Sequence, residues 1–188
     1  VAVQRKYNGI RAVAALSGDN SVVIYSRKQK TYFGFEGIRK DIKLLLESNN
    51  TIYLDGELYR HEVPLQIISG IARREVHVTD EQKKIEDTIE FMIYDCFMPD
   101  KPTLTYVERR MILESLFANS STDNSKCKLV ETFTADGRDA VMAFYKQFLA
   151  EGYEGAMVRI NRPYEYSYND THSKFLLKLK ETFDAEYK

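Results

Sequence analysis

Gln4-Arg5-Lys6-Tyr7-Asn8-Gly9-Ile10-Arg11 stands at the front of the chain, and the segments after it read as walls built around its lysine. Val1 to Gln4 alternates as a strand and Arg11 to Leu16 resumes as another. Lys6 to Gly9 is therefore expected at a break between strands, where glycine permits backbone that other residues resist. This reading puts a primary amine on a turn at a sheet edge. A Lys-x-x-Gly-x-Arg string alone describes an ordinary solvated turn as well as a reactive site, so the rest of the chain has to decide between them.

Outward from this turn, Arg11 to Leu16 and Ser21 to Tyr25 form a hairpin across Ser17-Gly18-Asp19-Asn20, a run of turn-forming residues. From Glu36 to Glu47, Ile38, Ile42, Leu45 and Leu46 recur at helical spacing, and Asn49-Asn50 stops the helix. Residues 51–59 return to strand, with Asp55-Gly56-Glu57 marking a bulge or a close backbone approach. A short helix follows Pro64, and Arg73 to Asp87 reads as a charged, exposed segment. Ile89 to Phe97 is an apolar strand whose Asp95 needs a hydrogen-bonding partner if it is buried. Thr105 with Glu108 is a capping box for a helix reaching Phe117, and Asn119 to Lys126 is a loop. Lys128 to Phe133 reads as strand and Asp136 to Glu151 as a helix with Val141, Phe144, Tyr145 and Phe148 inward. Strands at Tyr153 to Ile160 and Lys174 to Lys180 close the chain, with an aromatic loop between them. This order argues for an α+β domain with largely antiparallel sheets. No glycine-rich strand-to-helix loop occurs, so a nucleotide would be bound without a P-loop or a dinucleotide fingerprint.

The 188 residues suffice for one domain with a sizeable core, and thirteen Tyr and ten Phe supply apolar surface. The formal net charge of −1 hides an asymmetry: residues 1–50 carry nine Lys or Arg against four Asp or Glu, and the remainder is acidic. A basic front on an acidic body suits a polyanion such as a nucleotide or nucleic acid. Cys96 and Cys127 are unpatterned, which argues for a reducing compartment and against a zinc site. No apolar run of membrane-spanning length and no leader pattern occurs, so no membrane partner and an intracellular location are expected. The absence of an initiator Met suggests a piece of a longer protein.

Polar clusters fall on or beside the strands: Lys6 with Arg11, Arg27, Glu57, Glu154 with Arg159, and Lys178 with Lys180. Lys178 and Lys180 are two apart, so both face one side of their strand while Leu177 and Leu179 face the other. Two ammonium groups so placed repel each other unless an anion lies between them. A phosphate would serve, with Glu57 and Glu154 as oxygen ligands for an accompanying Mg²⁺.

Taken in order, these segments resemble the nucleotidyltransferase, or adenylylation, domain of ATP-dependent DNA ligases, within a group that includes RNA ligases and mRNA capping enzymes. Lys6-Tyr7-Asn8-Gly9-Ile10-Arg11 resembles the family's Lys-x-Asp-Gly-x-Arg nucleophile motif. Asp55-Gly56-Glu57, Phe91 to Phe97, Glu154 to Arg159 and Leu177 to Lys180 resemble the motifs that follow it. The resemblance implies two largely antiparallel sheets with flanking helices in an ATP-grasp-like fold spanning residues 1–188. It further implies that Lys6 attacks the α-phosphate of ATP to form lysyl-AMP. Gln4, Arg5, Arg11, Glu57, Tyr94, Lys178 and Lys180 would bind the nucleotide, with Tyr94 stacked on adenine. Arg11 and Arg27 would meet DNA, and Glu154 and Glu57 would hold Mg²⁺. Nicked double-stranded DNA is the implied partner, the protein acting as a monomer with a C-terminal OB-fold domain that this chain does not include. Near pH 7 only about one ordinary lysine in a thousand is neutral, so such a nucleophile needs cations beside it, here Arg11, Lys178, Lys180 and the metal.

Two positions depart from the pattern: Asn8 stands where the family has Asp, and His172-Ser173 where Arg-Ser is common. Asn8 keeps open a second class, a nucleotide- or DNA-binding module with little chemistry. An RNA ligase or a GTP-using capping-type nucleotidyltransferase shares most of the motifs and is the nearer alternative.

Overall fold

The computed structural model describes residues 1–74, 79–120, 126–165 and 173–181. In chain order the elements are β1 (Ala2–Lys6), β2 (Ile10–Leu16), β3 (Val22–Tyr25), α1 (Glu36–Leu46), β4 (Tyr53–Tyr59), α2 (Leu65–Arg73) and α3 (Asp80–Glu86). They continue with β5 (Glu90–Phe97), α4 (Tyr106–Ala118), β6 (Cys127–Leu129), β7 (Phe133–Thr134), α5 (Gly137–Ala150), β8 (Gly155–Arg159) and β9 (Leu176–Lys180). Among the described residues the strands make two sheets, ordered β7-β1-β8-β9 and β3-β2-β4-β5-β6. Every pairing is antiparallel except β5 with β6. The fold is α+β, as the order of elements implied.

The opening stretch does something the sequence did not disclose. β1 and β2 lie in different sheets, and β1 is an interior strand between β7 and β8. Lys6 is the last residue of β1, so the expected turn at a sheet edge is in fact a crossing from one sheet to the other. The crossing runs so close to β4 that a Cβ on Gly9 would sit 2.4 Å from the Leu58 carbonyl oxygen and 2.8 Å from Glu57 Cγ. Only glycine fits there. Tyr7, the first residue past β1, is buried edge-on against Tyr59 and Tyr153, with ring centroids 4.9 and 5.5 Å away.

The larger core lies where α1, α2 and α4 pack against the β2-containing sheet. Ile38, Ile42, Leu45 and Leu46 of α1 are all buried, each contributing on the order of 1.5–3 kcal/mol relative to exposure. A second core joins α5 to the other sheet through Val3, Phe148 and Ala156, with Phe133, Phe144 and Leu179 packed around them. Pairing shifts register between Asp55 and Gly56 because β5 carries the extra residue, Tyr94. The bulge therefore lies on β5 and not on β4, and Gly56 marks the close approach, since a Cβ there would sit 2.5 Å from the Met92 carbonyl oxygen. Glu108 accepts hydrogen bonds from the Thr105 N–H and hydroxyl, both at 2.7 Å, at the start of α4.

Two further expectations need correction. The segment 73–87 is not simply an exposed charged stretch, because residues 80–86 form α3, opened by a Thr79/Gln82 capping box. Its Glu86 is buried, accepting from the Phe35 N–H, Arg74 and Lys83; a carboxylate given that many donors can be buried. Lys128 to Phe133 is not one strand. β6 pairs with β5 in one sheet and β7 with β1 in the other, the chain crossing between them at Val130 to Thr132. Leu177 is 48% exposed and borders the larger hollow along with Lys178, while Leu179 packs into the smaller core. The sequence readings at 75–78, 121–125, His172 and Thr182 to Lys188 lie outside the described residues.

Where the two sheets meet, Asp95 of β5 holds two arginines. Arg109 of α4 donates to it through Nε and Nη2 at 2.8 and 3.0 Å, and Arg159 of β8 through Nη1 at 2.9 Å. Arg159 also donates to Gln4 Oε1 of β1 at 2.7 Å. All four side chains are buried, and each finds charged or polar partners, which is the condition for burying them. This joint, with the aromatic contact at Tyr7, sets the width of the cleft between the sheets.

Candidate active site

Lys6 reaches the cleft from the end of β1, and its ammonium is ion-paired with Glu154, the residue just before β8. That proximity is fixed by pairing, because Lys6 registers with Gly155 and the Glu154 N–H donates to the Lys6 carbonyl at 3.1 Å. Gly155 has φ of 148°, and a Cβ there would lie 2.0 Å from the Leu179 carbonyl oxygen. The Glu-Gly pair thus lets β9 approach β8 closely and leaves the glutamate beside the lysine.

The facing wall comes from the other sheet. Arg11 of β2 donates to Asp55 of β4 through Nε and Nη2 at 2.9 and 2.8 Å, a bidentate pair in which Asp55 is almost fully buried. Glu57, two residues along β4 and so on the same face, is half-buried. Burial pushes its carboxyl up to about 8, with the field of Lys6 opposing that rise and those of Asp55 and Glu154 adding to it. Glu57, Lys6 and Glu154 therefore sense one another across the cleft.

The cleft is two adjoining hollows. One, of about 270 Å³, is lined by Lys6, Glu57, Tyr94 and Met157 among others. The second, of about 440 Å³, carries Arg162, Tyr164 and Lys180. Arg11, Arg27, Asp55, Arg159 and Lys178 border both. The site residues expected from the sequence are thus brought together from both sheets, with two differences of detail. Lys178 borders both hollows but Lys180 only the larger, so the two lysines are not equivalent neighbours of Lys6. Lys6 itself meets a carboxylate in this state, rather than only the cations expected around it.

Two other expected residues, Arg5 and Gln4, also border the smaller hollow, with side chains engaged by protein partners. The Arg5 side chain faces away from the Gln4 and Lys6 side of β1. Its guanidinium pairs with Glu131 and Glu151, both at 2.7 Å, and lies 4.9 Å from the Phe148 ring centroid. Its part is to pin β1 to α5, because side chains alternate along a strand. Gln4 borders the smaller hollow, but its carboxamide is committed. Nε2 lies within hydrogen-bond distance of Tyr106 Oη, Thr132 Oγ1 and the Tyr94 carbonyl, and Oε1 accepts from Arg159. Gln4 thus forms part of the wall of the smaller hollow.

Tyr94 presents its ring to the smaller hollow, with the Arg159 guanidinium 5.0 Å from the ring centroid. Burial raises its phenol well above the usual range, with Asp55 and Glu57 adding to the effect, so the hydroxyl stays protonated. Asn8 is exposed. Sequence reasoning missed Tyr164, whose hydroxyl donates to Asp55 at 2.6 Å and accepts from Arg11 at 2.9 Å. It lies in an irregular loop without periodicity, and nothing in the sequence joined it to β2 and β4.

Among the described residues no group of three or more His, Cys, Asp or Glu could hold a metal ion, and no helix is long and apolar enough to cross a membrane. Glu57 and Glu154 are nevertheless a fitting pair for Mg²⁺, which commonly takes one or two carboxylates and completes its shell with water and substrate phosphates.

Comparison with known proteins agrees with this geometry. A DNA ligase of African swine fever virus (isolate Tick/South Africa/Pretoriuskop Pr4/1996) is 41% identical over 187 residues, covering 98% of this chain and 42% of the viral protein. This chain therefore spans less than half the length of that relative. The solved structure Pmar-Lig_PreS3 superposes with a TM-score of 0.75 at 20% identity, over 96% of this chain and 42% of the other. The Chlorella virus DNA ligase-adenylate gives a TM-score of 0.68 at 16% identity, over 95% and 60%. At those identities the two structures speak for the fold alone. The model of the ATP dependent DNA ligase domain matches residues 1–180, and with the two-sheet cleft around Lys6 already described, the chain belongs to that family.

Proposed function

We propose that this chain is the adenylylating domain of a DNA ligase and that Lys6 is its nucleophile. The deprotonated Lys6 Nζ, freed from Glu154, attacks the α-phosphorus of ATP. A P–N bond forms as the bond to the pyrophosphate oxygen breaks. AMP then passes from Lys6 to the 5′-phosphate of a DNA nick, and the 3′-hydroxyl displaces it to join the strand. Family membership supports the use of ATP. The observation that carries the residue roles is convergence: Lys6 and Glu154 come from one sheet, Arg11, Asp55 and Glu57 from the other, and they face one cleft.

In this reading Tyr94 stacks on the adenine and Glu57 receives the ribose hydroxyl or the metal. Lys178 neutralises charge developing at the α-phosphate, where fixed cations are most effective. Lys180, bordering only the larger hollow, acts with Arg27 toward the nick, while Arg11, which borders both hollows, serves the nucleotide as well as the nick. Glu57 and Glu154 would hold Mg²⁺, whose contribution when bound is to offset charge on the phosphates. Nick sealing further calls for an OB-fold domain beyond this chain, the assembly working as a monomer on nicked duplex.

ATP labelled at the α-phosphate tests the proposal. The parent chain should take up one AMP in an acid-labile bond, and Lys6→Ala should take up none. Equal labelling of Lys6→Ala would remove Lys6 as the nucleophile.

A further inference from the structure

The loop after β8 is fastened to the other half of the molecule. The Val107 N–H donates to Asn161 Oδ1 at 2.9 Å, Arg109 Nη1 donates to the Arg162 carbonyl at 3.1 Å, and Pro163 bridges to Thr105. These ties at the start of α4 carry Tyr164 over β4 and β5. Its ring packs on Phe97, centroids 4.7 Å apart, with the Arg109 guanidinium 5.4 Å from the ring centroid. Its hydroxyl then meets Asp55 and Arg11 together. Burial, with the charge of Asp55 next, raises the phenol well above its usual range, so the hydroxyl remains a donor to Asp55.

Among the described residues Arg11 spends Nε on Asp55 and Nη2 on Asp55 and Tyr164. Nη1 has no protein partner there, and Arg11 borders both hollows. A guanidinium held along one edge presents its remaining N–H groups in a fixed direction, which is how arginine reads phosphate or hydroxyl oxygens.

We propose that Tyr164 is a positioning residue: its hydroxyl locks the Arg11–Asp55 pair across the sheet junction, so that Arg11 offers Nη1 to a phosphate or ribose oxygen in the cleft. This rests on the nucleotide site proposed above and adds a residue that no strand motif supplies. Asp55 alone leaves the pair hinged about its own side chains, whereas Tyr164 comes from a different loop and anchors it from above.

The test is a double-mutant cycle in this chain, joining Tyr164→Phe to Arg11→Ala. Tyr164→Phe keeps the ring on Phe97 and Arg109 and removes only the hydroxyl. A hydrogen bond to a charged group is worth enough that Tyr164→Phe should weaken ATP binding or slow AMP labelling by roughly tenfold or more. In the Arg11→Ala background the same change should alter either quantity by less than about twofold, because interacting residues are non-additive. Purely structural damage would multiply in both backgrounds. ATP affinity by titration and single-turnover labelling are measured on all four proteins, with thermal unfolding alongside. Parent-like affinity and labelling in Tyr164→Phe, or independent multiplication of the two effects, would overturn the role of Tyr164. A parent chain that binds ATP but takes no label would count against Lys6 chemistry instead, and the affinity cycle would still decide Tyr164.

Discussion

Asp95→Asn should cost far more stability than its small change in shape suggests. The carboxylate is 1% exposed and accepts from Arg109 twice, from Arg159 once and from the Cys96 N–H at 2.8 Å. An amide is neutral and must turn an NH₂ toward one of those donors, leaving two buried guanidiniums without their shared counter-charge. Removing one partner of a buried ion pair typically costs about 3–5 kcal/mol. The lower part of that range applies here, because Arg159 keeps Gln4 Oε1 and Arg109 keeps the carbonyls of Leu104 and Arg162. A loss of about 3 kcal/mol corresponds to a fall in Tm of roughly 6–12 °C for a chain of this size. The comparison is Glu114→Gln, which removes the exposed Arg110–Glu114 pair within α4 and should cost no more than about 0.5 kcal/mol. Urea unfolding followed by circular dichroism gives both values. If Asp95→Asn lies within about 1 kcal/mol of the parent, the Asp95 joint does not hold the sheets together and the account of the cleft's width fails.

Two further outcomes can be checked in the same chain. Stacking on an aromatic ring is worth about 1–3 kcal/mol per base by alanine substitution, so Tyr94→Ala should weaken ATP binding roughly tenfold while Tyr94→Phe stays near the parent; equal affinities for all three would remove Tyr94 from the adenine site. At Glu57 the folded carboxyl is raised to about 8 from an ordinary 4.5. The native state therefore holds a proton that the unfolded state has released, and stability falls as pH rises from about 4.5 through 8. In chelator-treated protein, Glu57→Gln should flatten that decline and exceed the parent's stability most at pH 8. A parent and variant with parallel pH profiles would contradict the shift.

Much of the local architecture is legible in the order of residues. The helical spacing of Ile38, Ile42, Leu45 and Leu46 and the alternation of the strands follow from local geometry, and those helix positions are buried as the spacing requires. Asp95 announced its need for partners because a carboxylate in an apolar strand must be compensated, although nothing local named Arg109 and Arg159. Local rules failed where partners were distant. Residues 128–133 divided between two sheets because β5 and β1 claimed its two ends, and residues 80–86 formed a helix whose Glu86 found three donors. Arg5 adjoins Lys6 in the sequence, yet one-residue alternation sent its guanidinium to Glu131, Glu151 and α5, partners that no local rule names. The sequence by itself determined which residue types were available and in what order, since a motif string and strand periodicity are properties of neighbours along the chain. Only the tertiary structure decided that Lys6 ends one sheet while Arg11 begins in the other, and that Tyr164 closes over their cleft. Those contacts depend on how two sheets and a loop pack, and pairing energies between segments far apart in sequence leave no local signature.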